Sequence, residues 1–421
     1  MRQRTDSGFY TSSDEDNSAG KQDRMYKKWF SSQYSNGENC PVVDVSIPWL
    51  YESHSLWVLL IVSVIIWYAA NRAGPFGSLG EALLHAVPYA ISIFLAVGLF
   101  AFPSGPFIRP HPIVWKIVFG VSLLYLLCLI ILLVPSPSQA RAMLTALDPT
   151  VGIPFELPLY AEDCSLTVGN LREKTDVFVL AHFFGWLLKA LFFRHRILLW
   201  VFSITWELVE LALIYMVPNF AECWWDQWIM DVLICNGLGI EIGLYICKHL
   251  EFRKYQWTGV LESSTLAEKA KRLALQFTPA QWHRVEWESS KTFKRYLQVQ
   301  LILWISLLND LNAFMLKLFL YIPTTHYINV CRLLFMGIVA APAYRQSYLF
   351  FVDENVKRLG TQAIVIVMIT IAEVALVLKA GSDFDIPAMP LANKIGITAY
   401  FSLYLIISVL LLRKSRRTKS E

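Results

Sequence analysis

The stretch ILLWVFSITWELVELALIYMV, residues 197–217, is apolar along its length except for a few small polar groups and two glutamates. A run of about 20 such residues crosses the hydrocarbon layer as a helix, because lipid offers the backbone no other hydrogen-bond partners. Glu207 and Glu210 are three positions apart and so share one helix face. The stretch predicts a membrane-spanning helix that carries a pair of acids.

The whole chain has the same apolar character. Of its 421 residues, 55% are hydrophobic and 17% are charged, which is more apolar than an average soluble domain. Ten long apolar runs are predicted to be spans, at 52–71, 82–102, 113–134, 177–193, 197–217, 228–247, 298–321, 327–343, 362–379 and 395–412. The predicted fold is therefore all-α, a polytopic transmembrane helical bundle.

Three regions follow from this pattern. Residues 1–48 are polar and lack the order of a signal peptide, so they are predicted to be a disordered cytosolic tail. Residues 49–412 form the transmembrane catalytic domain, and 413–421 form a basic cytosolic tail. Within the domain, the polar segment 248–297 contains an amphipathic pattern typical of a helix on an anionic leaflet or of a packed cytosolic helix.

Charge decides the expected orientation. Lysine and arginine concentrate in the segments on the side of the two termini, such as RHR at 194–196 and the tail RKSRRTKSE. The opposite segments are acidic or nearly neutral, and NFAECWWDQ at 219–227 is the most acidic. The positive-inside rule therefore predicts that both termini are cytosolic and that this acidic turn is lumenal.

Ionisable side chains cluster in three consecutive spans, although each costs roughly 2.5 to 3.5 kcal/mol inside a bilayer. The fourth span carries His182, the fifth carries Glu207 and Glu210, and the turn with the sixth span supplies Asn219, Glu222, Asp226, Asp231 and Asn236. Short loops make the three helices neighbours, so these side chains are predicted to face one cavity that opens to the lumen. Glu222 and Asp226 would share a helical face if the sixth helix began early.

Facing carboxylates in a low dielectric take up protons or bind a cation. Oxygen ligands from Glu, Asp and Asn are typical of Ca²⁺, while Mg²⁺ and Mn²⁺ remain open. Zinc is disfavoured because no tight His and Cys spacing is present. The sequence thus predicts one or two calcium ions held by Glu207, Glu210, Asn219, Glu222, Asp226, Asp231 and Asn236.

Each residue also has a plainer interpretation. His182 would be a hydrogen-bonded structural residue, the glutamates would neutralise Lys189 or an arginine, and the turn would be a solvated loop. Together these interpretations leave a strip of intramembrane acids without matching bases, which favours a functional cavity.

Cysteine and tryptophan add two expectations. Seven cysteines are scattered singly, and among them Cys164 and Cys223 fall on the same predicted side, where an oxidising compartment would allow a disulfide. Trp224, Trp225 and Trp228 suit the aromatic belt of the membrane interface. That belt would place the acidic turn at the depth of lipid phosphate.

Four motifs carry a resemblance to a known family. They are AHFFGW (181–186), ITWELVEL (204–211), PNFAECWWDQ (218–227) and ICNGLGI (234–240). In this order and spacing, the chain resembles the eukaryotic base-exchange phosphatidylserine synthases over about residues 50–380. The resemblance implies an endoplasmic-reticulum membrane enzyme that uses calcium to replace the choline or ethanolamine of a phospholipid with L-serine.

The resemblance also implies roles for particular residues. His182 would take the serine proton and return one to the leaving alcohol, with a covalent phosphatidyl-histidine as the alternative. On the cytosolic side, Arg109, Arg272 and Gln276 would contact an anionic headgroup and sense the product, unless they are ordinary leaflet-facing residues. The preferred donor lipid and the oligomeric state, a homo-oligomer being one option, are left open.

Three other classes of protein fit the sequence less well. A CDP-alcohol phosphatidyltransferase needs an Asp-Gly pair, and the chain has none. An ion-coupled transporter or lipid scramblase would also place carboxylates in a helical cavity, but the sequence shows no inverted repeat. A non-catalytic lipid-binding protein would not depend on His182.

Overall fold

All ten of the long apolar runs lie in helices. The structure, a computed structural model, describes residues 55–71, 79–107, 110–155, 161, 163–174, 177–252, 265–275, 287, 292–354 and 356–417. Within these residues all regular secondary structure is helical and no strand occurs. The predicted all-α class is confirmed for the described part of the chain.

Thirteen α-helices, one 3₁₀-helix and one π-helix account for the described elements. The α-helices are α1 (Ser55–Asn71), α2 (Leu79–Ala101), α3 (Pro112–Leu133), α4 (Pro137–Leu147), α5 (Val168–Lys174), α6 (Val177–Phe193), α7 (Arg196–Leu213), α8 (Gly237–Phe252), α9 (Leu266–Leu275), α10 (Phe293–Phe319), α11 (Tyr327–Val352), α12 (Thr361–Gly381) and α13 (Leu391–Arg417). Between α7 and α8 lie the 3₁₀-helix Pro218–Phe220 and the π-helix Asp226–Asn236.

The helices support a multi-pass membrane protein. Five described stretches are both long and apolar enough to cross a bilayer, namely Pro112–Leu133, Asp226–Leu250, Phe293–Phe319, Tyr327–Val352 and Thr361–Gly381. The full count of ten spans and the orientation of the termini stay predictions. The expected tails lie partly outside the described residues, and α13 continues to Arg417, into the expected basic tail.

Contacts between helix ends fall into two sets. At one end, Arg141 after α3 contacts Asp383 after α12 at 3.1 Å, and His326 before α11 contacts Asp148 at 3.0 Å. At the opposite end, the Gln346 side chain accepts a hydrogen bond from the Ala363 amide, 3.1 Å away. These sets match the alternation of an up-and-down bundle. We call the first set the disulfide end, because it also holds the Cys164–Cys223 bond.

Two apolar cores hold the bundle together. One joins α3, α10 and α12 around Leu129, Phe319 and Ile369. The other joins α6, α7, α8 and α10 around Phe193, Phe202 and Ile240. Large apolar side chains elsewhere are exposed, as in α1, where Trp57 and Trp67 are 63% and 67% exposed. Such outward apolar surface is what a lipid-facing helix requires.

A buried ion pair ties α3, α10, α11 and α12 together. Glu373 is fully buried and binds Arg332 with two contacts of 2.8 Å. The Tyr125 hydroxyl donates to the same carboxylate at 2.6 Å, and the Asn312 amide donates at 3.3 Å. Glu373 therefore has its charge matched by a neighbouring base within the bundle.

Replacing Arg332 with methionine should destabilise the protein by about 3 to 5 kcal/mol, because it leaves a buried carboxylate without its cation. The exposed pair between Arg196 and Glu241, 2.6 Å apart with side chains 65% and 40% exposed, gives the matched control. Replacing Arg196 with glutamine should cost no more than about 1 kcal/mol. Unfolding midpoints of the purified variants in one detergent provide the measurement, and equal shifts would contradict the prediction.

The last helix, α13, is fastened by a polar stripe. Asn393, Tyr400, Tyr404 and Ser408 recur at helical spacing. Asn393 donates to the carbonyl of Ala212 at 3.0 Å, Tyr400 bonds Thr205, Tyr404 bonds Gln300 and Ser408 bonds Tyr296. The stripe fixes α13 against α7 and α10, next to the acidic face of α7.

Candidate active site

Helix α7 supplies the first pair of acids. Glu207 is fully buried and Glu210 is 4% exposed, so the shared face predicted from their spacing points into the bundle. Their carboxyl groups are close enough to interact electrostatically. Two carboxyl groups that close need a shared proton or a cation between them. Lys189, a proposed partner for these glutamates, instead binds Asp310 on α10 at 2.8 Å.

The π-helix supplies a line of polar residues that five-residue spacing brings together. In an α-helix, residues five apart point about 140° away from each other around the axis. The i→i+5 bonding of a π-helix turns such residues towards one side. Asp226, Asp231 and Asn236 are five apart and all buried, with exposures of 9%, 6% and 0%. The predicted strip along this helix is present, but π-helical winding produces it.

Glu222 joins the group from outside the helix. It lies before the π-helix, so the early helix start on which a face shared with Asp226 depended does not occur. Its carboxyl group nevertheless interacts electrostatically with that of Asp231. Burial, and second the Asp231 carboxylate, raise the pKa of Glu222 to about 8.

Close packing of α8 on α6 brings the histidine into the same place. A Cβ atom at Gly239 would lie 2.4 Å from the carbonyl of Phe183, and one at Gly243 would lie 2.9 Å from that of Leu187. Only glycine allows so close an approach at these positions. As a result, Nδ1 of His182 lies 3.2 Å from Oδ1 of Asn236 and 3.9 Å from Oδ1 of Asp231.

Two buried carboxylate oxygens lack a hydrogen-bond partner, Oε2 of Glu207 and Oε2 of Glu222. Buried polar atoms are normally paired, so each such atom calls for an explanation. The described residues contain no group of three His, Cys, Asp or Glu side chains already arranged to hold a metal ion. The acids therefore lie close together, and two of their oxygens have no hydrogen-bond partner. Their side chains do not yet surround a common point as the ligands of a bound metal ion would.

Other predicted residues lie outside what the structure describes. Asn219 is in the 3₁₀-helix beside the acidic turn, but its side chain is not among those described. Arg272 is in α9, again without a described side chain, and Arg109 and Gln276 lie outside the described residues. Their expected roles stay predictions.

The acidic turn is anchored by a disulfide. Cys164 and Cys223 are bonded to each other across 59 residues of chain. The indole of Trp225 donates to the carbonyl of Cys164 at 3.2 Å and is 2% exposed, whereas Trp224 is 61% exposed. Trp224 suits the predicted aromatic belt, but for Trp225 that prediction is wrong, because its ring is buried beneath the disulfide-linked segment.

Reducing this disulfide should lower stability by about 2 to 4 kcal/mol, since it releases a long loop. Labelling of the denatured protein with a thiol reagent should modify two more cysteines after reduction than before, and peptide mapping should locate them at Cys164 and Cys223. The free Cys331, exposed on α11, provides the control: Cys331→Ser should change neither stability nor the number of thiols gained on reduction. No gain at Cys164 and Cys223 would contradict the prediction.

Two side chains around the acids were not singled out from the sequence. Ser203 is fully buried, and its hydroxyl lies 3.0 Å from the amide nitrogen of Asn236. Gln227 donates to the backbone carbonyl of Glu207 at 3.3 Å. The spacing of Ser203 four residues before Glu207 was the available signal, because residues four apart share a helix face.

The fold and this group of side chains define an integral membrane protein with a cluster of buried polar side chains between α6, α7 and the π-helix. The profile of the family described as "Phosphatidyl serine synthase" matches residues 110–381, which include every helix of this cluster. The chain belongs to the phosphatidylserine synthase family and is an enzyme of that family.

Curated relatives extend the likeness over most of the chain. Phosphatidylserine synthase 1 of Danio rerio is 39% identical over 350 residues, which cover 81% of this chain and 74% of the relative. Phosphatidylserine synthase of Drosophila melanogaster is 38% identical over 377 residues, 88% of this chain and 74% of the relative. Phosphatidylserine synthase 2 of Homo sapiens is 36% identical over 358 residues, 83% of this chain and 72% of the relative.

Proposed function

We propose that the chain makes phosphatidylserine by base exchange, replacing the ethanolamine or choline of a phospholipid with L-serine. The observation that carries this proposal is the position of His182, 3.2 Å from Asn236 and 3.9 Å from Asp231, beside buried acids on two further helices. Exchange at a phosphodiester needs a base for the serine hydroxyl, an acid for the leaving alcohol and neutralised charge at phosphate.

His182 serves as the base and then as the acid. The serine hydroxyl attacks phosphorus while its proton passes to the imidazole, and the phosphorus bond to the old alcohol breaks as that oxygen takes the proton back. An imidazole can both accept and donate a proton near neutral pH. Donor and product each contain one phosphodiester, so the exchange needs no high-energy donor.

The acids fit a calcium ion. The unpaired oxygens of Glu207 and Glu222, together with the carboxylates of Glu210, Asp226 and Asp231, form the all-oxygen donor set that Ca²⁺ prefers. The set predicted from the sequence also contains Asn219 and Asn236. When bound, the ion would supply positive charge for the phosphoryl oxygens and for the carboxylate of serine. The described acids do not already surround a metal position, so calcium binding would bring their oxygens closer together.

Reconstitution tests the reaction class. Liposomes that contain phosphatidylethanolamine and the purified chain should transfer radiolabelled serine into chloroform-soluble lipid, with one ethanolamine released for each serine incorporated. Label trapped inside the vesicles as free serine would instead show a transporter. Return of labelled ethanolamine into lipid when serine is absent would favour the covalent phosphatidyl-histidine route.

The disulfide supports an endoplasmic-reticulum location with the reaction centre near the lumen, since disulfides persist in oxidising compartments. The orientation is tested with two insertions of an N-glycosylation acceptor. An acceptor placed in 382–390, at the disulfide end, should gain a glycan in microsomes. One placed in 353–360, at the opposite end, should gain none, and the reverse result would overturn the orientation.

Three residues that the sequence predicts to be cytosolic are proposed to sense the product. Arg109, Arg272 and Gln276 would bind the headgroup of phosphatidylserine on the cytosolic side. Substituting Arg109 with alanine should relieve inhibition by added phosphatidylserine without raising activity in its absence. Unchanged inhibition would remove the proposal.

A further inference from the structure

The amide of Asn236 is oriented by two buried neighbours. Its Nδ2 atom lies 3.2 Å from Oε1 of Glu207 and 3.0 Å from Oγ of Ser203, and the residue is fully buried. The amide nitrogen donates to both oxygens, and Oε1 of Glu207 accepts whether or not a proton is held on Oε2. The carbonyl oxygen of the amide is thereby directed to the other side, towards α6.

That orientation selects the tautomer of His182. The carbonyl oxygen of Asn236 lies 3.2 Å from Nδ1 of the imidazole and only accepts hydrogen bonds. Nδ1 must therefore carry the proton, and in the neutral ring Nε2 carries the free electron pair. Among the described residues, Nε2 has no hydrogen-bond partner. The nitrogen that is left for the substrate is the one that can accept a proton.

We propose that Ser203 and Asn236 are positioning residues that hold His182 in its reactive tautomer. This reassigns Asn236, which the sequence placed among the metal ligands, because both of its amide atoms are already used within the protein. The catalytic consequence rests on the proposed function, whereas the tautomer itself does not.

Both routes of exchange need this arrangement. In the base route, the serine hydroxyl proton moves to Nε2, the ring becomes an imidazolium with its Nδ1 proton unchanged, and Nε2 returns a proton to the leaving alcohol. In the covalent route, Nε2 attacks phosphorus as the bond to the old alcohol breaks and that oxygen takes a proton from water, and the serine oxygen then displaces Nε2 as the serine hydroxyl proton passes to water. With the proton on Nε2 instead, neither step has an electron pair to begin it.

The expected effects differ in size between the two residues. Ser203→Ala removes one of two contacts that orient the amide, and a single hydrogen bond corresponds to about a 2- to 10-fold effect. Its kcat should fall by that amount, with KM for serine and lipid within about twofold, because the substrate contacts are unaffected. The kcat of Asn236→Ala should fall by about 10²-fold or more.

Thr205→Val is the matched control. Thr205 is on the same helix as Ser203, and both are buried, at 1% and 0% exposure. Its hydroxyl contacts Val201 and Tyr400 rather than Asn236. Its kcat should stay within about twofold of the parent, since no contact with the amide is lost.

The tautomer is read by ¹⁵N NMR of the full chain labelled at histidine, with the His182→Gln spectrum subtracted, at a pH where the ring is neutral. The parent should show a protonated Nδ1 and a bare Nε2, and Ser203→Ala and Asn236→Ala should shift the population towards a protonated Nε2. A parent ring protonated at Nε2 would overturn the proposal, as would equal losses of kcat in Ser203→Ala and Thr205→Val. The NMR spectrum can be recorded without catalytic turnover. If the chain had the expected tautomer but no exchange activity, the proposed function would be rejected and the proposed tautomer would stand.

Discussion

Replacing His182 with alanine should lower the rate of headgroup exchange by about 10²- to 10⁴-fold and leave the bundle folded. Among the described residues, His182 is the only histidine that lies against the acids of α7 and the π-helix. Its loss removes the proton acceptor for serine and the donor for the leaving alcohol. Initial rates of serine incorporation in liposomes provide the measurement.

His249 supplies the matched control for this variant. It lies in α8, where it stacks on Tyr245, and it is exposed. His249→Ala should keep the parent rate. An active His182→Ala chain would contradict the proposed chemistry, whereas an inactive chain with an unfolding midpoint far below that of the parent would be explained by misfolding, so both quantities are compared in the same preparation.

Removing calcium should abolish exchange, and adding it back should restore the full rate. The acids that lie together carry unpaired oxygens at Glu207 and Glu222, and without a cation their negative charges oppose binding of a phosphodiester. We expect a chelator to lower the rate by at least about 10²-fold, which is the loss typically seen when one strong electrostatic contact to the transition state is removed. Bound calcium should also raise the unfolding midpoint, because a ligand of the native state stabilises it.

Glu210→Gln separates calcium binding from other effects of chelation. The variant keeps the shape of a 4%-exposed side chain but removes one charge, so half-maximal activity should require at least about tenfold more calcium, for a loss of roughly 1.4 kcal/mol in binding. Glu241→Gln is the control, because Glu241 binds Arg196 and Trp200 at the opposite end. A Glu210→Gln chain with an unchanged calcium requirement would contradict the assignment of Glu210 as a ligand.

Much of the bundle follows from hydrophobic length alone. Lipid leaves a long apolar run no alternative to a helix, and over the described residues each predicted span coincides with helical structure, with ends displaced by a few residues, as in 197–217 against Arg196–Leu213. The burial of Glu207 and Glu210 also follows from sequence, because three-residue spacing in such a helix fixes a common face. The joining of α6, α7 and the following helix follows from their short connections.

The remaining features depend on forces that sequence spacing does not reveal. The spacing rules of an α-helix do not align residues five apart, so the common side of Asp226, Asp231 and Asn236 depends on π-helical winding. The role of Asn236 depends on which of its two amide atoms faces Glu207, a choice made by tertiary contacts. Trp225 looks like its neighbour Trp224 in sequence, and only the chain segment around Cys164 covers it.

The π-helix has a consequence for which changes the chain can accept. From Asp226 to Asn236, the alignment depends on the number of residues between the acids as well as on their identity. A deletion of one residue in this stretch would preserve every carboxylate and still rotate the lower ones away from His182. The number of residues in this stretch is therefore as restricted as their identity. An insertion or deletion here should lower activity more than most substitutions would.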